Sequence, residues 1–197
     1  MIRQSPTIAN DFKSGFFSYE KDIELIVKKL FTENKHYSDN LKRLLIINQP
    51  DCLTANNAKY DEIVKSYSVK RLKDEGYLRF VPRLDLEEHE DIKSFIIITV
   101  DDFTPSLNTE YRNCSVSFFV FSEYEHTAMD NYQYRPIKIA GYIDGIMNGA
   151  KLTNIGKLEF LGAQHVPLNE YWGGIMLMYA ATHEEQEDKN PDIPEDK

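Results

Sequence analysis

Cysteine is nearly missing from this chain, and that scarcity already limits what the protein can be. Its 197 residues hold two cysteines, Cys52 and Cys114, far apart and without C-x-x-C spacing. A disulfide framework or a cysteine-based zinc ribbon is thereby excluded, and two reduced core thiols are expected. Long apolar runs are missing as well. The longest, Phe95 to Val100, has strand length and falls well short of the roughly 18 residues a membrane span needs, so no membrane partner is expected. The first fifteen residues are polar and broken by Pro6. They lack the apolar stretch of a secretory signal, so the chain is expected to stay where it is made.

The usual signatures of chemistry are also absent. The five histidines, His36, His89, His126, His165 and His183, show no i, i+3 or i+4 pairing and no nearby cysteine, so no metal site is expected. No G-x-S-x-G elbow occurs, and Gly149-Ala150-Lys151-Leu152 does not supply a phosphate loop. No catalytic residue and no cofactor is therefore expected. Excess positive charge is lacking too. The formal charge is −9, and residues 184–197, with seven acidic and two basic side chains, carry five of those nine charges. Such a balance argues against a broad basic face that grips nucleic acid, though not against a protein that lets DNA pass.

What is present is a patterned globular chain, 42% hydrophobic and 12% aromatic. Ile23, Ile26, Val27 and Leu30 fall at helical spacing and predict a helix over about 19–31. A second helix is predicted from a Ser38 or Asp39 cap through Leu41, Leu44 and Leu45 toward Pro50. A third is predicted over about 57–73, with Gly76 as its terminator. From Tyr77 the period becomes extended. Short strand LRFVP, an acidic connection, and strands over 94–103 and 112–123 follow, the last two as an antiparallel pair. Val116, Phe118 and Val120 should share one face, with Ser117, Phe119 and Phe121 on the other.

Arg135-Pro136 then opens a helix in which Ile139, Ile143, Ile146 and Met147 form one apolar stripe and Asn148-Gly149 is the stop. Strands over 157–161 and 171–182 close the pattern. The predicted fold class is α+β, a mainly antiparallel sheet packed by the Arg135 helix and preceded by an N-terminal helical section. The predicted organisation is 1–76 helical, 77–183 the α+β domain, and 184–197 a disordered acidic tail.

Each remaining cluster has an ordinary reading beside a functional one. Glu87, Glu88, Glu90 and Asp91 around His89, with Asp101 and Asp102, read as a solvated acidic face, since they lack the alternating spacing of a calcium loop. Lys65, Lys70, Arg71 and Lys73 around Tyr67 read as exposed helix charge diluted by Asp74 and Glu75. Gly141, Gly145 and Gly149, four apart, read as a packing stripe. Trp172, beside Tyr171 and Gly173-Gly174, could face outward on a hairpin or fill the core.

The order of Arg135-Pro136, an isoleucine-rich helix, Asn148-Gly149, Ile155-Gly156-Lys157-Leu158 and a closing strand pair resembles the tail terminator and tail-completion proteins of tailed bacteriophages. The resemblance spans about Ser94 to Thr182, and the first ninety residues add a helical section that a minimal terminator does not require. It implies a structural virion protein made in the bacterial host cytoplasm and located at the head–tail junction. Such a subunit forms a homo-oligomeric ring, commonly a hexamer, beside other neck and tail proteins, and DNA passes through its lumen without sequence-specific binding. The expected contact elements are Asp85 to Lys93, Glu123 to Tyr134 and Gly162 to Gly174. The candidate protein-contact residues are Tyr124, His126, Tyr132, Tyr134, His165, Tyr171 and Trp172. Two alternatives stand beside the ring: a small cytoplasmic enzyme using Asp101 and Asp102 with His126 and His165, and an acidic regulatory protein that binds a host factor.

Overall fold

Residues 19–55, 57–80, 92–105, 111–153 and 155–184 are described in a computed structural model. Helix α1 (Tyr19–Lys28) runs through a π-helical turn, Lys29–Glu33, into α2 (Lys35–Ile46). Asn34 caps α2 by accepting a bond from the Tyr37 amide. The expected cap, Ser38, sits in the first turn instead, where its buried hydroxyl donates to the Leu30 carbonyl at 2.7 Å. The helix also stops at Ile46, four residues short of Pro50.

The predicted third helix is two. Helix α3 (Ala58–Ser66) ends at Tyr67, and Ser68, at φ −73° and ψ 163°, caps α4 (Val69–Asp74) through the Arg71 amide. Tyr67 and Ser68 leave helical geometry because a serine hydroxyl competes for backbone donors and is most useful at a helix start. Gly76, at φ +84°, closes the segment as expected of a residue past a helix end.

A five-stranded sheet follows, in the order β1-β2-β3-β9-β8. Its strands are β1 (Leu78–Arg79), β2 (Ser94–Pro105), β3 (Tyr111–Glu123), β8 (Glu159–Pro167) and β9 (Trp172–Glu184). Only β1 to β2 is parallel; the β2-β3, β3-β9 and β9-β8 pairs are antiparallel. Two small hairpins, β4 (Ala128–Met129) with β5 (Gln133–Tyr134) and β6 (Lys151–Leu152) with β7 (Gly156–Lys157), flank α5 (Arg135–Met147). The fold is α+β, as the order of periodicities predicted.

The register fixes two faces. Ile98, Phe118 and Leu177 lie in line, as do Val100, Val116 and Tyr179. This face meets α5: Ile139, Ile143 and Met147 are buried, and the Tyr179 hydroxyl donates to Asp144 Oδ1 at 2.8 Å. Burial, followed by the neighbouring Asp144 carboxylate, pushes the Tyr179 phenol far above its ordinary range, so the phenol remains a donor. Because Asp144 is only half-buried and can rehydrate, Tyr179→Phe should cost about 1–2 kcal/mol in urea unfolding. A loss below experimental error would mean the bond contributes nothing.

On the opposite face Phe95, Phe121 and Trp172 pack together, with ring centroids 5.4 Å and 5.3 Å from Phe95. The Arg79 guanidinium lies 4.3 Å from the Phe95 centroid. Trp172 is 8% exposed, so its outward reading is corrected: it is a core residue, and adjacent Gly173 and Gly174 are buried strand positions in β9 rather than a flexible hairpin.

The helices share this core. Ile26, Leu30, Leu41, Leu44 and Leu45 are buried in one hydrophobic cluster with Ile96, Phe118 and Tyr179. At about 1.5–3 kcal/mol for each such side chain, those five are comparable to the whole net stability of a domain. The helices therefore cannot leave the sheet without unfolding it.

Candidate protein-contact surface

The end of the sheet where β3 stops and β9 starts gathers most of the predicted contact residues. A 3-10 turn at Tyr124–His126 leads into the β4-β5 hairpin, whose 3-10 turn spans Asp130–Tyr132. Beside it lies the short β8-β9 turn. Asn169 builds that turn by accepting from the amides of Tyr171 and Trp172 at 2.8 and 2.9 Å. The two turns are tied together, because the Tyr124 amide donates to the Tyr171 carbonyl at 2.8 Å. Gly173 makes room for the Tyr124 ring: a Cβ there would lie 2.5 Å from the Tyr124 hydroxyl.

Tyr124 and Tyr171 are exposed, Tyr171 at 62%. Tyr134 is half-buried, its ring centroid 6.5 Å from that of His165. Burial, and after it Tyr124, raises the Tyr134 phenol above its ordinary range. Tyr132 is wholly exposed and sits at φ +58°, as does Asn131 before it. Asparagine tolerates the left-handed region, but a tyrosine there carries backbone strain of about 1–3 kcal/mol that its solvated ring does nothing to offset.

At the base of the turn, Glu123 Oε2 lies 2.9 Å from Lys93 Nζ and 3.1 Å from His126 Nδ1. The histidine is within ion-pair reach without hydrogen-bond alignment. His126 is half-buried at the base of the turn. Of the expected contact elements, 123–134 and the 168–171 turn form one surface. Of the element Gly162 to Gly174, residues 162–167 are strand β8 paired to β9, away from the turn itself. Residues 85–91 of the acidic connection, and the tail beyond Glu184, lie outside the described residues.

The other clusters do not converge on this surface. Asp101 pairs with Ser115, and Glu123 stands eight positions further along β3, about 26 Å at the usual rise. Asp101 and Asp102 are therefore at the far end of the sheet from His126 and His165. Asp102, at φ +57°, accepts from the Ser115 hydroxyl at 2.8 Å within a register shift of β2. Arg71 is engaged by Glu75 at 2.6 Å and lies 3.9 Å from the Tyr67 ring centroid. Gly141 is exposed, and a Cβ there would touch nothing within 4 Å, so no close packing of this chain explains it. Among the described residues, no group of three or more histidine, cysteine or acidic side chains is placed to hold a metal ion.

One residue that sequence reasoning passed over holds the surface in place. Arg135 is 1% exposed. Its Nε donates to the His126 carbonyl at 2.9 Å, and its two terminal nitrogens donate to the carbonyls of Leu44, Ile47, Asn48 and Gln49. The guanidinium also lies 3.7 Å from Cys52 Sγ. Burial lowers the Arg135 pKa and raises that of the Cys52 thiol, while each acts on the other in the opposite sense. The contact turn is thus pinned to the end of α2.

The YomW family model matches residues 38–181, from α2 through most of β9. The chain belongs to the YomW family. Its match covers more than two thirds of the chain, including most of α2, all of α5 with Arg135, and all or most of every strand of the sheet. The family is named like a protein of a Bacillus phage region, which suggests a phage-associated protein. No curated protein matches. Among solved structures, a crystal structure from Akkermansia muciniphila is similar at 11% identity over 90% of this chain and 100% of that chain, with a TM-score of 0.27. A score that low carries no argument.

Proposed function

We propose that this YomW-family chain is a non-enzymatic structural component of a tailed-phage virion, a tail terminator or neck adaptor in a ring at the head–tail junction. The observation that carries the reading is the strained, solvated Tyr132 on a turn that Arg135 and Glu123 hold rigidly. Strain kept in an exposed aromatic is offset only when that ring is used, and aromatic side chains on a rigid support are the usual anchors of protein interfaces. Tyr124 and Tyr171 extend the same patch. The phage tie of the family and the acidic charge, which lets DNA slide past without holding it, agree with a ring lumen. The enzymatic alternative pointed to Asp101, Asp102, His126 and His165, and Asp101 lies about 26 Å along the sheet from the start of the 123–134 turn.

Tyr132→Gly separates assembly from folding. Glycine relieves the left-handed strain, so the free chain should melt no lower than wild type. Phage whose only copy of this protein is Tyr132→Gly should accumulate unjoined heads and tails in electron micrographs. The reading fails if purified virions lack the chain by mass spectrometry, or if Tyr132→Gly particles assemble at the wild-type level.

A further inference from the structure

The five-stranded sheet ends at β8, a nine-residue strand whose outer edge has no strand partner among the described residues. Helix α5 packs on β3 and β9, and every residue of β8 is exposed or half-exposed on both faces. Soluble proteins usually guard such an edge with lysines, inward charges or a very short strand. Here Leu161 to Val166 carries no formal charge, in a chain of net charge −9. The guards are confined to the ends: Glu159, Pro167, and a register shift between Phe160 and Gly162.

We infer that β8 is a self-pairing edge, and that a second copy of this chain docks its own β8 antiparallel to it across a twofold centred on Gln164. That register keeps each sheet face with its own kind. Gly162 meets the second copy's Val166 on one face, Ala163 meets its His165 on the other, and the two Gln164 amides, each both donor and acceptor, meet at the axis. The register runs only over the stretch beyond the irregularity at Leu161, and no like charges face each other. A head-to-tail continuation of the sheet finds no matching edge: the opposite edge is β1, two residues long, and β2 beyond it is broken by the register shift between Asp101 and Thr104 and carries two carboxylates, Asp101 and Asp102. The contact is therefore isologous and stops at two strands. It does not rest on the ring reading, whose subunits meet head to tail.

Sedimentation velocity over a concentration series, on the full chain, tests it. Wild type should dimerise reversibly. Gln164→Lys, an exposed change that leaves the circular dichroism spectrum intact, should weaken the dimer about fivefold or more by placing two ammonium groups on the axis. Mixing Gln164→Lys with Gln164→Glu should restore a mixed dimer, which only pairing of position 164 with itself can produce. A chain that stays monomeric throughout overturns the inference, since the edge then has another occupant or none. An oligomer, hexamer included, whose affinity ignores Gln164→Lys also overturns it and leaves the ring reading standing.

Discussion

Gly174→Ala is expected to prevent β9 from docking on β3 and to leave the chain largely unfolded at room temperature. Gly174 pairs with Phe121 between two inner strands of the sheet, two residues in from the start of β9. A Cβ on it would lie 1.7 Å from the Val120 carbonyl oxygen, 2.8 Å from that carbonyl carbon and 3.0 Å from the Phe121 Cα. All three are backbone atoms, so no rotamer change relieves the overlap. The strands would have to separate, and with them the packing of Phe118 on Tyr179 and of Phe95 on Trp172. Overpacking of a core costs about 1–3 kcal/mol when side chains can adjust, so a backbone collision belongs at or above the top of that range. For a chain of this size about 3 kcal/mol lowers the melting temperature by about 6–12 °C, and a larger loss removes the transition. Gly162→Ala is the control: nothing lies within 4 Å of its Cβ, and β8 has room on both faces. A melting temperature for Gly174→Ala within two degrees or so of the Gly162→Ala value would show that β3 and β9 can separate at little cost.

Gly174 also shows why some of this fold is legible in the sequence and some is not. Helix α5 could be read because its signals are local: Pro136 at the start, isoleucines at helical spacing, Asn148-Gly149 at the stop, with Gly149 at φ +76°. The faces of β3 follow from alternation alone. Strand β8 could not be read through Gly162 to Pro167, because Gly-Ala-Gln-His-Val-Pro has little intrinsic strand preference and is held extended by its register with β9. Trp172 looked outward because its neighbours are glycines, whereas those glycines are there for close strand contact and for the Tyr124 ring. The candidate contact surface was half legible. Tyr124, Tyr132, Tyr134, His165 and Tyr171 were identified by composition, and the structure places them on or beside two joined turns. What fixes those turns, Glu123 with Lys93 and Arg135 with α2, depends on contacts between residues dozens of positions apart. No local pattern encodes them.

Arg135 is the most consequential of these. As the first residue of α5 it reads as a surface charge before a proline, yet its guanidinium is buried against the last carbonyls of α2. The Leu44 carbonyl is one that a helix leaves without an intrahelical donor, Ile47 follows directly, and the helix end carries about half a negative charge, so a buried cation is tolerated there without a carboxylate partner. Arg135→Met fills the same volume and removes every donor. The bonds to Leu44 and Ile47 are the buried ones, and two stranded acceptors at about 1–3 kcal/mol each give an expected loss of about 2–6 kcal/mol. The Asn48 and Gln49 carbonyls lie closer to solvent and should rehydrate. Arg135→Lys should recover little of this, because one ammonium cannot reach both the His126 carbonyl and the four carbonyls of Leu44, Ile47, Asn48 and Gln49 that the planar fork spans. Urea unfolding gives the magnitude. Hydrogen exchange gives the mechanism: amides of the 123–134 turn and of the C-terminal half of α2 should lose protection together in Arg135→Lys, while the β2-β3 ladder keeps it. Loss confined to α2 would mean that the turn is held by Glu123 and Lys93 instead. A stability within 1 kcal/mol of wild type for Arg135→Met would mean that water replaces the guanidinium, and that the clamp on the contact surface is not where the geometry puts it.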